Sequence, residues 1–438
     1  MLLRRGFHPA SDFRAASFPI RIHMEKKYQA LHGTRDILPP ESSLWQYIEA
    51  KVREVMRIYN YREIRFPIFE HTELFQRGIG ESTDIVTKEM YTFKDLGGRS
   101  LTLRPEGTAS VVRAYIQHSL AKKSPVNKLY YLGPMFRQER PQKGRMRQFH
   151  QFAAELLGTL DPAADAEMID LNLEVYRRLG LKNLKLYLNS VGCPKCRPQH
   201  RQKLLAFAKD KLPELCSDCN LRYTRNPLRM FDCKVETCQI ILKEAPVMLD
   251  SLCHECREHF ERVKQNLEYL EIDFELDDHM VRGLDYYTKT AFEIRSEELG
   301  AQDSLSGGGR YDLLVSDLGG EETPAIGFAA GTDRLIVAIG SQKIGYPSDE
   351  KIDIFIAPVG EEAKKIGMKL LLDLRKEGHS CEIDYLDRSL KAQMREANRL
   401  GAKKVIIVGE RELEEGVYEV KDMQTGEQVR MPQAELKV

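Results

Sequence analysis

The chain has 438 residues, of which 42% are hydrophobic and 30% charged, a composition typical of a folded protein with two or three domains. Lys and Arg number 66 and Asp and Glu also number 66, which excludes a globally basic protein, so any RNA contact must come from local patches. No apolar run approaches the roughly 20 residues that a membrane-spanning helix needs, and we expect no membrane partner.

The first 23 residues differ from the rest of the chain in their charge. They hold four arginines against one acidic residue: Arg4, Arg5, Arg14 and Arg21 against Asp12. An arginine-rich, acid-poor segment is typical of an organellar transit peptide. It also fits a disordered leader ahead of an alternative start at Met24, and this is the interpretation that we adopt.

Residues 24–190 are predicted to form the first part of the main domain. Helical spacing of five apolar residues predicts a helix over 41–59: Leu44, Ile48, Val52, Val55 and Ile58. The remaining elements follow along the chain: a strand over 62–69 that contains Pro67, a hairpin turning at 95–98, a helix over 108–120, strands over 128–137 and 148–158, a helix over 165–180 and a strand over 184–189. This order predicts an antiparallel α+β fold.

The second half of the chain is predicted to contain an insertion, the rest of the main domain and a separate domain. Residues 191–270 are Cys-rich, interrupted by prolines and mostly helical, as an inserted domain would be. The main domain resumes over 271–340, with extended segments at 274–276, 286–294 and 326–330 and a glycine-rich break at 306–309. After a linker at 341–350, the β-α-β-α-β order of residues 351–438 predicts a small α/β domain.

Three cationic segments have the composition of phosphate-binding sites. Five of the eleven residues over 137–147 are basic, and guanidinium groups match phosphate oxygens with two hydrogen bonds at once; the loop also fits a solvated hairpin tip. Arg334 follows a strand-to-helix junction, where a capped helix with a surface ion pair is the simpler interpretation. Strand periodicity places Arg282 on the opposite face from Tyr287, unless Gly283 bends the chain.

Taken together, these segments resemble the class II aminoacyl-tRNA synthetases, and the histidyl-tRNA synthetase family in particular. Residues 65–70 (RFPIFE) resemble motif 1, the loop and strand at 137–149 resemble motif 2, and 327–335 (GFAAGTDRL) resemble motif 3. Residues 281–287 (VRGLDYY) and 306–312 (SGGGRYD) resemble the two histidine-specific signatures. The resemblance runs from about residue 28 to the end of the chain.

The resemblance implies a class II synthetase sheet flanked by helices, a mainly helical insertion domain and an anticodon-binding domain over 351–438. It implies a cytoplasmic homodimer, with motif 1 and its helix at the interface, that joins histidine to ATP and then to tRNA(His), with Mg²⁺ accompanying the ATP. The alternative is a histidine-sensing regulatory subunit of ATP phosphoribosyltransferase, which has the same core fold. That class lacks the anticodon-binding domain and typically loses the ATP-binding arginines, both of which this chain retains.

The resemblance also implies roles for individual residues in ATP and tRNA binding. Arg137 and Arg282 match the arginines that bind the α-phosphate and act in catalysis, and two guanidinium groups on that phosphorus would stabilise its transition state. Glu139 matches the residue near the adenine, and Arg334 the arginine near the γ-phosphate. The basic residues of the motif 2 loop are assigned to the acceptor end of the tRNA: Arg140, Lys143, Arg145 and Arg147.

The histidine pocket is implied in the same way. Glu106 and Thr108 match the ligands of the α-amino group, with Gln151 nearby, and Arg282 also contacts the amino acid. Glu155 and Tyr287 match the residues that bind the imidazole, and Tyr311 lines the same pocket. A neutral imidazole has one N–H donor and one acceptor, so a carboxylate and a phenol can recognise both ends.

Eight of the nine cysteines lie within 193–256, which fits metal ligation in a reducing compartment better than a disulfide framework. A structural Zn²⁺ site needs four thiolates, and the preferred set is Cys193, Cys196, Cys253 and Cys256, which would tie the two ends of the insertion together. A rival set uses Cys216 and Cys219, and reduced, buried cysteines without metal are the other alternative. We expect removal of the metal to disorder the insertion while adenylate formation persists.

Overall fold

The computed structural model describes residues 28–80, 83–139, 145–347 and 351–436, without the side chains of residues 301 and 302. The predicted leader, residues 1–23, lies outside the described residues. So do Arg140, Lys143 and the end of the linker predicted at 341–350.

An eight-stranded sheet forms the centre of the main domain. Its strands lie in the order Arg62–Glu63, Asn127–Phe136, Gln148–Leu157, Ala325–Gly331, Ser304–Arg310, Thr288–Ser296, Leu184–Ser190 and Glu275–Leu276. The five inner pairs are antiparallel, whereas the short strand at each edge runs parallel to its neighbour. The predicted antiparallel α+β fold is confirmed.

Helices cover this sheet and bury an extensive apolar core. The longer helices of the main domain are Glu41–Ile58, Thr72–Ile79, Thr108–Gln117, Pro162–Arg178 and Thr332–Ser341. Four of the five side chains that predicted the first of these helices are buried, and Val52 and Val55 have no exposed surface, whereas Ile58 at the helix end is exposed. The four buried side chains pack with the helix Pro162–Arg178 and with sheet residues such as Phe292, so burial of one apolar face fixes this helix on the sheet.

The strand predicted over 62–69 is wrong in its middle, because the chain leaves the main sheet after Glu63. Phe69–His71 joins a separate three-stranded sheet with Ser100–Leu103 and Thr92–Lys94, the predicted hairpin. Pro67 has no N–H to donate to a neighbouring strand. Arg104 instead holds this segment, since its guanidinium donates to the carbonyl oxygen of Phe66 at 3.1 Å.

The break predicted over residues 306–309 is also wrong, since they lie within the inner strand Ser304–Arg310. Glycine is needed here for close packing and not for a turn. A Cβ atom on Gly308 would lie 2.6 Å from the ring of Phe292 and 2.7 Å from Cβ of Phe328. Gly307, one residue earlier, points to the opposite face of the sheet.

The insertion is built mainly of helices, as predicted. They are Arg197–Lys209, Ser217–Arg225, Glu236–Leu242 and His254–Tyr269, with short 3₁₀ turns at Leu212–Glu214, Pro227–Asp232 and Met248–Ser251. The last helix packs against Pro162–Arg178 of the main domain. The Nε2–H group of His259 on that helix donates a hydrogen bond at 3.1 Å to the carboxylate of the buried Asp165, which ties the insertion to the core.

The C-terminal residues form a five-stranded sheet. Its strands lie in the order Cys381–Ile383, Ile354–Pro358, Lys404–Val408, Val417–Asp422 and Gln428–Pro432, with helices Glu361–Lys376, Leu390–Arg399 and Glu410–Glu414. The first three strands are parallel and the last two form the closing antiparallel hairpin. In the part of the chain that the structure describes, no helix is long and apolar enough to cross a membrane.

Candidate active site

A cavity of about 950 Å³ lies over the inner strands of the main sheet. Ten of the predicted site residues line it: Glu106, Thr108, Arg137, Arg145, Gln151, Glu155, Arg282, Tyr287, Tyr311 and Arg334. They come from segments more than 200 residues apart in the chain, and the antiparallel sheet brings them together. The geometry therefore gathers carboxyl, phenol and guanidinium groups into one site.

Glu155 lies at the buried end of this group, with 1% of its surface exposed. Its two carboxyl oxygens accept hydrogen bonds from Thr108 Oγ1 at 2.7 Å and from the Tyr311 hydroxyl at 2.6 Å. Burial raises the pKa of Glu155 to about 8, although both hydrogen bonds favour the charged form. A carboxyl group held this firmly can recognise an N–H group of a ligand with a fixed geometry.

Glu106 has a structural role that the sequence did not predict. Its carboxylate accepts from the backbone N–H groups of Thr108 at 2.7 Å and Ala109 at 2.9 Å, so it caps the helix Thr108–Gln117. Burial raises the pKa of Glu106. Each of its oxygens has a second lone pair, and the residue also lines the cavity.

Arg282 and Tyr287 share the cavity because residues 281–287 are not a regular strand. The strand begins only at Thr288, and the Arg282 guanidinium lies 6.0 Å from the centre of the Tyr287 ring. Arg282 donates to Glu293 at 3.2 Å, and although burial opposes it, this guanidinium holds the pKa of Glu293 below its usual range. The guanidinium packs flat on Gly307, where any side chain would overlap it.

Two further arginines are fixed by backbone carbonyl groups. Arg137 Nε donates to the carbonyl oxygen of Pro105 at 2.9 Å, and Arg334 Nη1 donates to that of Ser304 at 2.8 Å. Burial, and then the neighbouring charge of Arg145, lower the pKa of Arg334. Several guanidinium groups in one buried wall favour a ligand with several negative charges, such as a polyphosphate.

Two described residues that were predicted for ATP and tRNA binding, Glu139 and Arg147, do not line the cavity. Glu139 pairs with Arg145 at 3.0 Å and with Arg137 at 3.7 Å, so its carboxylate neutralises part of the motif 2 loop. The backbone N–H of Arg147 donates to Gly33 at 2.7 Å.

Sequence reasoning missed several residues of the site. Tyr286 and Glu293 line the cavity beside Arg282, and Tyr131 and Arg295 also contribute to the wall. Tyr286 stands inside the signature at 281–287, so the motif itself was a signal for it. Lys234 and Gln239 come from the insertion, and nothing in their local sequence indicates a place in this cavity.

The cysteines of the insertion form two groups of four. The preferred set, Cys193, Cys196, Cys253 and Cys256, is brought together, with all sulfur atoms within 4.8 Å of one another. The rival pair Cys216 and Cys219 joins Cys233 and Cys238 in a second group of the same size. The two sets are therefore not alternatives for one site. Both groups have the composition and spacing of a tetrahedral metal site.

Comparisons with known proteins agree with the geometry. The family model described as histidyl-tRNA synthetase matches residues 33–335, and that of an anticodon binding domain matches residues 353–437. The histidine–tRNA ligase of Halothermothrix orenii is 52% identical over 93% of this chain and 97% of its own length, and that of Desulforamulus reducens is 55% identical over 92% and 96%.

A solved structure has the same fold. The apo histidyl-tRNA synthetase of S. aureus superposes with a TM-score of 0.79 at 42% identity, covering 93% of this chain and 98% of that one. The regulatory-subunit alternative is not favoured, because the curated relatives that match nearly the whole chain are ligases. On the strength of both the family match and these relatives, the chain belongs to the histidyl-tRNA synthetase family of class II aminoacyl-tRNA ligases.

Proposed function

We propose that the chain activates histidine with ATP to histidyl-adenylate and pyrophosphate and then transfers histidine to the 3′ end of tRNA(His). The observation that carries this proposal is the cavity itself. It combines a buried carboxyl group, held by Thr108 and Tyr311, with a wall that includes Arg137, Arg282 and Arg334. These are complementary to an imidazole and to a polyphosphate, the two chemical groups that the reaction must bring together.

In the first step, Glu155 accepts the N–H of the neutral imidazole and Tyr287 binds its other nitrogen. The proposed pocket is selective because buried polar groups left unpaired by an apolar amino acid would reject it strongly. Glu106 and Thr108, with Gln151 nearby, bind the α-amino group. Support comes from the shared cavity and from the rigid helix cap that Glu106 provides.

ATP binds along the arginine wall, and Mg²⁺ enters with it as part of the substrate. Arg137 and Arg282 bind the α-phosphate while the histidine carboxylate attacks it, and Arg334 binds the leaving pyrophosphate. These side chains are held by Pro105, Glu293 and Ser304. Fixed charges of this kind stabilise the negative charge that develops on the oxygens around the phosphorus. Glu139 contributes near the adenine from its position beside Arg145.

The second substrate is tRNA(His). We assign its acceptor end to the basic motif 2 loop, which includes Arg145 and Arg147, together with Arg140 and Lys143 outside the described residues. Residues 351–438 read the anticodon; they hold 16 basic and 17 acidic residues, so recognition depends on local shape and a few side chains.

Three further features belong to the proposal. Ile68 and Phe69 of motif 1 are 44% and 52% exposed, which supports a homodimer interface there, and sedimentation equilibrium would test it. Cys193, Cys196, Cys253 and Cys256 hold a structural Zn²⁺, and the approach of their sulfur atoms to within 4.8 Å of one another supports this. The unbridged cysteines fit the reducing cytoplasm.

Charging of tRNA tests the whole reaction. Purified protein, supplied with ATP, Mg²⁺ and radiolabelled histidine, is expected to transfer label to tRNA(His) and not to a tRNA for another amino acid. The variant Arg282→Ala should lose adenylate formation while its affinity for histidine, measured by calorimetry, stays largely intact. Failure of the wild-type protein to charge tRNA(His) would contradict the proposal.

A further inference from the structure

The second cysteine group lies in a part of the insertion that the catalytic proposal does not use. Its members are Cys216, Cys219, Cys233 and Cys238, with all sulfur atoms within 4.8 Å of one another. Three of the four residues are buried and Cys216 is partly exposed. The spacing from Cys233 to Cys238 is not that of a CxxC pair, so only the fold brings this group together.

The distances within the group match those around a single metal ion. Cys216 Sγ and Cys233 Sγ lie 3.7 Å apart. A zinc ion bonded tetrahedrally at about 2.3 Å from each sulfur sets neighbouring sulfurs about 3.8 Å apart, whereas a disulfide requires about 2.05 Å. In the first group the corresponding distances are 3.6 Å for Cys193 to Cys196 and 3.9 Å for Cys193 to Cys253.

Backbone N–H groups point at the sulfur atoms of the second group. The N–H of Cys219 donates to Cys216 Sγ at 3.4 Å, that of Cys216 to Cys238 Sγ at 3.2 Å, and that of Val235 to Cys233 Sγ at 3.5 Å. Such donors stabilise thiolates and orient them as metal ligands. The same arrangement occurs in the first group, where Cys253 donates to Cys196 Sγ at 3.1 Å.

The apolar core around the second group is small. Cys219, Cys233 and Cys238 pack with a few buried side chains, including Leu204 and Met230. A segment with so little buried surface usually needs a metal or a disulfide to stay folded. The cysteines here form no disulfide, so coordination of a metal ion is the other way in which they can cross-link this segment.

The segment that the second group would fix lies against the active-site cavity. Arg229, between Cys219 and Cys233 in the chain, pairs at 3.0 Å with Asp285 of the histidine signature. Lys234 and Gln239, each one residue after a cysteine of the group, line the cavity. Loss of order in this segment would therefore reach the cavity, whereas the sequence led us to expect that adenylate formation persists when the metal is removed.

We propose that Cys216, Cys219, Cys233 and Cys238 bind a second zinc ion, and that this ion holds residues 216–242 against the cavity. The protein then carries two zinc ions per chain, one in each group. Binding of the ion does not depend on the proposed function, whereas its effect on catalysis rests on that function.

Metal analysis of the purified full-length chain tests the site. The wild-type protein should contain two zinc ions, and Cys219→Ser and the matched first-group variant Cys196→Ser should contain one each. Cys381→Ala, which alters the cysteine outside both groups, should keep two. Cys216→His should also keep two, because imidazole replaces thiolate as a zinc ligand, and it serves where a serine variant fails to fold. A wild-type protein without zinc, a zinc content that Cys219→Ser does not lower, or iron instead of zinc would overturn the site.

Pyrophosphate exchange tests the positioning role. Cys219→Ser is expected to lower kcat/KM for histidine about tenfold or more, because a small displacement of groups at a reaction centre has effects of this order; Cys381→Ala should match the wild type. Loss of zinc from Cys219→Ser with unchanged kcat/KM would overturn the positioning role. Two zinc ions in a wild-type protein that exchanges pyrophosphate with no amino acid would contradict the proposed function and leave the site standing.

Discussion

Replacing Gly307 with alanine tests whether the position of the Arg282 guanidinium controls catalysis. The backbone of Gly307 lies outside the left-handed region, so alanine fits there without strain, and only its Cβ matters. That atom would overlap the Arg282 guanidinium at several atoms, which forces the guanidinium away and weakens its 3.2 Å ion pair with Glu293. The strand itself has no reason to move, since a flexible side chain yields first.

A displacement of about 1 Å in a positioned catalytic group can lower a rate on the order of 100-fold. At about 1.36 kcal/mol for each tenfold change, this equals about 2.7 kcal/mol of activation free energy. We therefore expect Gly307→Ala to lose about 100-fold in kcat for pyrophosphate exchange, with little change in thermal stability.

Two further substitutions distinguish an effect on the position of Arg282 from an effect on the stability of the fold. Gly308→Ala places its Cβ against Phe292 and Phe328 in the core, and overpacking of this kind costs about 1–3 kcal/mol of unfolding free energy. Unfolding can be followed by the fluorescence of Trp45, the single tryptophan. Gly340→Ala, where the new methyl group meets nothing within 4 Å, is the control for both assays. Wild-type kcat in Gly307→Ala would refute the reasoning.

Three other predictions concern the pocket, the core and the tRNA. The pKa of Glu155 is raised to about 8, so the carboxylate forms as pH rises through that value. Histidine binding, measured by calorimetry, should strengthen over the same pH range. The variant Glu155→Gln should abolish this pH dependence. A weakening with pH would mean that protonated Glu155 is the binding form. Arg310→Ala removes the guanidinium that pairs with the buried Asp165 at 2.6 Å and leaves His259 as a remaining partner at 3.1 Å. The free energy of unfolding in urea should fall by about 3–5 kcal/mol, and a change near zero would refute this. Arg147→Ala should raise the KM for tRNA, make that KM less dependent on salt and leave pyrophosphate exchange near wild type. Slower pyrophosphate exchange with an unchanged KM for tRNA would place Arg147 in ATP binding.

Elements with regular periodicity could be predicted from the sequence. The helix expected over 41–59 is observed at Glu41–Ile58, because its apolar residues recur at the spacing that buries one face. Ten predicted site residues also lie together in the cavity, and six of them stand inside the matched motifs. Motif residues could be placed because their neighbours in sequence fix the same local backbone.

Features that depend on distant segments could not be predicted. Residues 306–309 (SGGG) predicted a break, because nothing local shows that Arg282, Phe292 and Phe328 pack on the glycines. Lys234 and Gln239 reach the cavity only through the folding of the insertion. The grouping of Cys216 and Cys219 with Cys233 and Cys238 depends on how the insertion's helices pack, and CxxC spacing carries no information on it.

The most direct test of the central claim is ATP–pyrophosphate exchange measured with each of the twenty amino acids separately. The cavity predicts exchange with histidine alone, since Glu155 and Tyr287 match an imidazole and the arginine wall matches ATP. Histidine binding without exchange would contradict the catalytic proposal, and exchange with a different amino acid would contradict the assignment of the pocket.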